Sequence, residues 1–401
     1  MHKRSLRLAL ILWAGLTALP AQANAAVASN ELVYIGTWGK EAPPPSGALD
    51  AKPVPANGPA GIYAARLDEK TGHLTPLGLQ IPLERADSLV TDPHRSTLYS
   101  VAASAQGGRA PSDVYGFRID PASGKLHLLD KVSSGGQDAT TMALDGRSST
   151  LFVGNHASGD VVSIPIRQDG SLGPVASLQK DYGKGPTPRQ QGPQVHGVAV
   201  DPWGRHVLTA DFGADRVFVY RFDGRTRKLT PAQPPFVSLP GGSAPRHVVF
   251  SPNGRFAFVI TELSGIVQSY RWDGKGGQLH LVQTVSPTPD SQEEDKGGAD
   301  IAVSNDGRFL YFSIRDHVNS LFVYAIDPKT GSLRRIQRIS AEGQRPWSFG
   351  IDPTGRWLLV TNMGSQSVAV FKVDPATGLL TATDETMAVP NPSAVAFSPG
   401  E

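Results

Sequence analysis

Cysteine is absent from all 401 residues. Disulfides, thiolate nucleophiles, cysteine metal sites and lipid-modified cysteines are therefore all excluded, and the chain must fold on burial alone. An excess of one charge is also missing: 38 Lys and Arg stand against 36 Asp and Glu. A nucleic-acid partner would call for a concentrated basic face, so none is expected. G-x-S-x-G and H-E-x-x-H do not occur, which argues against an acyl-serine route and against a zinc-peptidase site. No metal and no cofactor are expected. The acidic run Glu293–Asp295 could hold calcium but reads more simply as a solvated loop.

Long apolar runs are lacking too, with one exception at the start. "MHKRSLR" is a basic lead, "LALILWAGLTAL" is apolar, and "AQANA" offers small-residue cleavage after Ala23 or Ala25. This is the order of a secretory signal. Residues 1–25 are read as that signal and 26–401 as one mature domain, periplasmic or secreted, without membrane contact once cleaved. A membrane anchor is the alternative, for which the run is short.

What the chain has in abundance is turn residues, 43 Gly and 33 Pro, and they recur in register. "HGVAVDPWGRHVLTADFGADRVFVYRFD" from His196, "RHVVFSPNGRFAFVITELSGIVQSYRWD" from Arg246, "ADIAVSNDGRFLYFSIRDHVNSLFVYAID" from Ala299 and "WSFGIDPTGRWLLVTNMGSQSVAVFKVD" from Trp347 share one grammar. A small-apolar strand meets a D/S-P-x-G-R turn; a second apolar strand, a polar turn, an alternating third strand and a looser fourth follow. The period is roughly 50 residues, the scale of a propeller blade. Weaker copies begin at Asp87 and Thr141. "ELVYIGTWGK" near the start matches a second strand without its first, and "PSAVAFSPGE" at the end matches a first strand without its second. The expected fold is all-β, a seven-bladed β-propeller whose ring is closed by the C-terminal strand joining the N-terminal blade. Sharing a blade removes two unpaired strand edges. A two-domain sandwich would give no reason for seven similar units.

In a blade the first strand lines the channel and the second runs antiparallel to it. The start of strand one and the end of strand two therefore share a mouth. Strand-one starts read Asp87, Thr140, His196, Arg246, Ala299, Trp347 and Ser393. Strand-two ends read Asn155 and His156, Asp211, Glu262, Arg315 and Asn362. Glu262 is expected to face Arg246, with His196 beside Asp211 and Arg315 beside Asp300. These charged residues differ from blade to blade, which a repeating scaffold would not demand. The turn arginines Arg205, Arg255, Arg308 and Arg356 recur in every good repeat and read as architectural.

These residues resemble the seven-bladed lactonase family, which includes a type of 6-phosphogluconolactonase and the fungal carboxy-muconate cyclising enzyme. The likeness is carried by "VHGVAVDPWGRHVLTADFGADRVFVY", "APRHVVFSPNGRFAFVITELSG" and "GGADIAVSNDGRFLYFSIRDHVNSL" and spans essentially the whole mature chain. It implies His196, Arg246, Glu262 and Arg315 as catalytic residues; Asp211, His247, Asp300, Trp347 and Asn362 are expected beside them as substrate-binding neighbours. Gln194, Thr261 and Ile314 depart from the family pattern of His, Asn and Asn at those places. The implied reaction is hydrolysis of a sugar-derived lactone, and the chain is expected to act as a monomer. Arg246 and Arg315 would stabilise an oxyanion, and His196 and Glu262 together would activate water. Other readings use the same chain as an exported scaffold for a protein or glycan partner, or as a lactone-forming isomerase.

Overall fold

The computed structural model describes residues 30–39, 41–42, 54–102, 110–287 and 296–398. The proposed signal peptide and the run Glu293–Asp295 lie outside them. Seven four-stranded antiparallel sheets follow one another around a ring. The first blade is composite: C-terminal strand Pro392–Ser398 pairs with Asn30–Thr37, which continues into Gly61–Asp68 and Leu74–Pro82. The register runs from Leu32 opposite Ser398 to Thr37 opposite Pro392. The ring thus closes on main-chain hydrogen bonds between the two ends of the chain.

Blades two to seven are each built from consecutive strands. Their innermost strands are Leu89–Asp92, Ala139–Asp145, Val195–Val200, Pro245–Phe250, Gly298–Val303 and Pro346–Ile351. The second strands of the later blades, such as FAFVIT, FLYFSI and WLLVTN, are buried at every position. Both faces of these strands are covered by neighbouring blades, so they are apolar without alternation. The outermost strands alternate, as in LRRIQRIS. Aromatic side chains fill the wedges between blades: Phe256 and Phe258 of blade five pack with Phe312 and Phe322 of blade six. Each such burial contributes about 1.5–3 kcal/mol.

The D/S-P-x-G-R turns lie at the end of the channel away from the site. Ser251 Oγ accepts the amide of Phe256 at 3.0 Å, and Gly254 takes the positive φ of 66° that the turn requires. Three of the four turn arginines tie their blade to the next. Arg255 donates to Pro328 O, Arg308 to Ala376 O and Arg356 to Glu69, while Arg205 stacks on Trp203.

Candidate functional site

At the opposite mouth a repeated irregularity aims the side chains. The pairing of strand one with strand two breaks between Ala139 and Thr141, Val195 and Gly197, Pro245 and His247, Gly298 and Ile301, and Pro346 and Ser348. In the closing blade the partner side skips Ser393. The extra residues are Thr140, His196, Arg246, Ala299 with Asp300, Trp347 and Ser393. A bulge turns a side chain out of the sheet's alternation, and here all but Ala299 are turned to one central cavity of about 580 Å³. Gly298 lets the sixth blade approach closely, since a Cβ there would come within 2.0 Å of Thr261 O.

The end of strand two needs a correction. Its last residues are Asn155, Asp211, Thr261, Ile314 and Asn362, all fully buried. Asp211 and Asn362, expected to bind substrate, are not among the residues lining the cavity. Asp211 accepts the amides of Gln194 and Ala214 at 2.9 and 2.8 Å, and Asn362 donates to Ala341 O at 2.8 Å. Both fasten turns within the scaffold. In blades three to five the residue that follows strand two reaches the channel: His156, Phe212 and Glu262 line the cavity. A one-residue step moves a side chain to the other face.

Glu262 is the centre of the charged wall. Its Oε2 lies 2.9 Å from Arg315 Nη2 and 3.3 Å from Arg246 Nε, and its Oε1 lies 2.7 Å from Arg189 Nη2. Burial pushes this carboxyl up, but Arg315, Arg189 and Arg246 together outweigh it and hold the group well below the ordinary carboxylate range. Arg315 is fully buried behind Glu262 and is not part of the cavity lining. Arg189, which the sequence reading missed, comes from the loop between blades three and four; Gln190 anchors that loop on Asp215 and Phe212 O.

Trp347 gathers the guanidiniums of Arg315, Arg246 and Arg345 against its ring at 4.4, 5.2 and 5.7 Å. Its edge meets Trp38 at 5.1 Å. Asp300, expected beside Arg315, accepts from Ser348 Oγ at 2.7 Å and from Phe349 N at 3.2 Å, which orients it from the seventh blade.

Three histidines from three blades form a row. His156 and His196 stand edge to face at 5.4 Å, as do His196 and His247. Burial, reinforced by Arg246 and the flanking histidines, pushes the His196 imidazole well below its usual value, with Glu262 opposing. Burial and Arg246 likewise bring His247 down to about 4. Both rings are neutral at pH 7, and His196 Nδ1 has no hydrogen-bond partner among the described residues. Beyond the row, Arg85 Nη1 lies 2.8 Å from Asp138 Oδ1 and Arg85 Nη2 3.1 Å from Asp87 Oδ2, with Trp38 against the guanidinium at 4.4 Å. Among the described residues no group of three or more His, Asp or Glu is arranged to hold a metal ion.

Residues 33–397 match the family model described as Lactonase, 7-bladed beta-propeller. The 6-phosphogluconolactonase of Bacillus subtilis (strain 168) is 32% identical over 341 residues, 85% of this chain and 95% of that protein. A 6-phosphogluconolactonase of Pectobacterium carotovorum (strain PC1) is 29% identical over 327 residues, 79% of this chain and 92% of that one. Among solved structures, the Pseudomonas aeruginosa periplasmic gluconolactonase PpgL superposes with a TM-score of 0.82 at 33% identity, covering 92% of this chain and 99% of that one.

Proposed function

Because the chain belongs to the seven-bladed β-propeller lactonase family, we propose that it is an exported hydrolase of unphosphorylated sugar-derived lactones. The observation that carries this reading is a single buried carboxylate, Glu262, gripped by three guanidiniums beside a neutral histidine in one cavity. Export is supported by the basic-then-apolar N-terminus and by the likeness to a periplasmic gluconolactonase.

The division of labour follows from the charges. Glu262 accepts from three arginines, and its depressed pKa makes it a poor proton acceptor. It acts instead as the anchor that fixes Arg246 and Arg189 in place. Those two guanidiniums line the cavity and offer donors to a carbonyl oxygen as charge develops on it. His196 is neutral, faces the same space and takes the proton from the attacking water. Water oxygen bonds to the carbonyl carbon, and the ring C–O bond then breaks. His196 returns its proton to the leaving alkoxide, giving the open hydroxy acid. Imidazolium formed midway is stabilised by Glu262.

Among the described residues every guanidinium that lines the cavity already faces a carboxylate: Arg85 has Asp87 and Asp138, while Arg189 and Arg246 share Glu262. At the Arg85 end two carboxylates, Asp87 and Asp138, face one guanidinium, and this balance disfavours a phosphate dianion there and favours a neutral lactone. The test is proton release from a panel of lactones, phosphorylated and not, corrected for spontaneous hydrolysis. Turnover is expected on neutral aldonolactones and to fall by roughly 10²–10⁴ in Glu262→Gln or His196→Ala. Wild-type turnover in both variants would remove the catalytic reading.

A further inference from the structure

We propose that Asp87 and Thr140, at the innermost-strand starts of blades two and three, form a subsite that reads the hydroxyl groups of the substrate, away from its reacting carbonyl. The inference deepens the lactone reading and rests on it for the identity of the ligand.

Asp87 is held from one side. Its Oδ2 accepts from Arg85 at 3.1 Å, and its side chain is 3% exposed. The other oxygen, Oδ1, is buried and finds no hydrogen-bond partner among the described residues, and the same is true of Thr140 Oγ1. Both residues line the central cavity. A buried acceptor left without a partner costs stability unless something supplies the missing hydrogen bond. The scaffold does not require this arrangement: the equivalent place in the other blades holds His196, Arg246, Ala299, Trp347 or Ser393.

The geometry around the pair is rigid. Arg85 is clamped between Asp87 and Asp138 and covered by Trp38. Asp138 in turn faces His156 Nδ1 at 3.6 Å, and His156 touches His196. The reacting end of the cavity, with His196, Arg246 and Glu262, is built on blades four and five, whereas Asp87 and Thr140 stand on blades two and three. Apolar side chains of Leu89, Met142, Val198 and Val248 also line the cavity. A polyhydroxylated ring whose carbonyl meets Arg246 would lay its apolar face on these side chains and extend its hydroxyls toward Asp87. A carboxylate is a strong acceptor for such hydroxyls. Burial pushes Asp87 up to about 7, so the group can also donate when protonated, and a hydroxyl serves either form. A second carboxylate close by, Asp138, disfavours an anionic substituent at this end.

The test compares a polyhydroxylated δ-lactone with unsubstituted δ-valerolactone in wild type, Asp87→Ala and Asp87→Asn. The ratio of kcat/KM, polyol over unsubstituted, is expected to fall by ~10–100-fold in Asp87→Ala, mostly through KM, and by a smaller factor in the isosteric Asp87→Asn. Calorimetric binding of the corresponding polyhydroxylated lactam, which is not turned over, is expected to weaken by the same factors. An unchanged ratio together with unchanged lactam affinity in both variants overturns the subsite. Should wild type hydrolyse neither lactone, the hydrolase reading fails, and the lactam titration still decides whether Asp87 and Thr140 bind a polyol.

Discussion

Arg315 stands directly behind Glu262, its Nη2 2.9 Å from Oε2, fully buried and outside the cavity lining. A guanidinium in that place is costly unless it is paired. Its Nη2 pairs with the one carboxylate that Arg189 and Arg246 also hold. The charge on Glu262 is therefore set from both sides, by one arginine in the scaffold and two at the cavity.

Replacing Arg315 by Met keeps length and packing and removes the charge. Arg315 is the foremost of the charges that hold the Glu262 carboxyl down against its burial, so its loss lets that pKa rise. We expect kcat to fall by about 10–10²-fold with a smaller change in KM, and the acid limb of the pH profile to move to higher pH. Arg315→Lys should recover part of kcat. A Met variant with wild-type kcat and an unmoved acid limb would show that Arg315 serves packing alone.

The pH dependence of kcat separates His196 from an ordinary histidine. A general base works when deprotonated, so activity rises with pH through its pKa. Burial and Arg246 lower that pKa, which carries the rise to lower pH. On unsubstituted δ-valerolactone, which offers Asp87 no hydroxyls, kcat should be flat from pH 8 down to 6 and decline only below that. A limb centred near 6.5–7 would mean that the imidazole titrates as it does in water.

Much of this was legible in the sequence because the repeat carries both fold and frame. The complementary half-blades at the two ends announce the closure now seen between Asn30–Thr37 and Pro392–Ser398. His196, Arg246, His247, Asp300, Trp347 and Glu262, all named from the sequence, line one cavity. Two kinds of information were out of reach. The bulge at the head of strand one and the exit of strand two shift the frame by one residue, so Asp211 and Asn362 were mistaken for mouth residues when they are turn anchors. Arg189 sits in an irregular loop, where no periodicity says which way a side chain points. Its signal was available only as an arginine close before His196. Arg85 and Asp138 likewise precede their strands, in backbone with φ of 51° and 56°, a geometry that no pattern of apolar residues encodes.

The shifted frame has its own test. Asp211→Asn keeps an Oδ1 for the amides of Gln194 and Ala214, and the Asp211 side chain is not itself part of the cavity lining. Burial pushes its carboxyl up, while the amides of Gln194 and Ala214 and the neighbouring Asp181 oppose that shift. Turnover is expected within about three-fold of wild type, far from the loss set by acid–base residues. A drop of about 30-fold or more with an unchanged melting temperature would return Asp211 to the reacting centre.

Stability should carry the imprint of a carboxyl far from the site. Glu31, at the head of the second strand of the closing blade, is 4% exposed, and its Oε2 has no hydrogen-bond partner among the described residues. Burial, with Asp352 and Glu69 adding repulsion, pushes its pKa up to about 8. In the unfolded chain it returns to about 4.3. Between those values the native state holds a proton that the unfolded state has released, so stability falls as pH rises. The contribution is fully present below about 4.3 and is lost as pH passes through 8. Gln in place of Glu31 imitates the protonated acid and has nothing to lose. The melting temperature of Glu31→Gln should match wild type near pH 4 and exceed it by about 2 °C or more at pH 9. Equal melting temperatures at both ends would mean that Glu31 is ionised in the native ring and that the closing blade tolerates its charge.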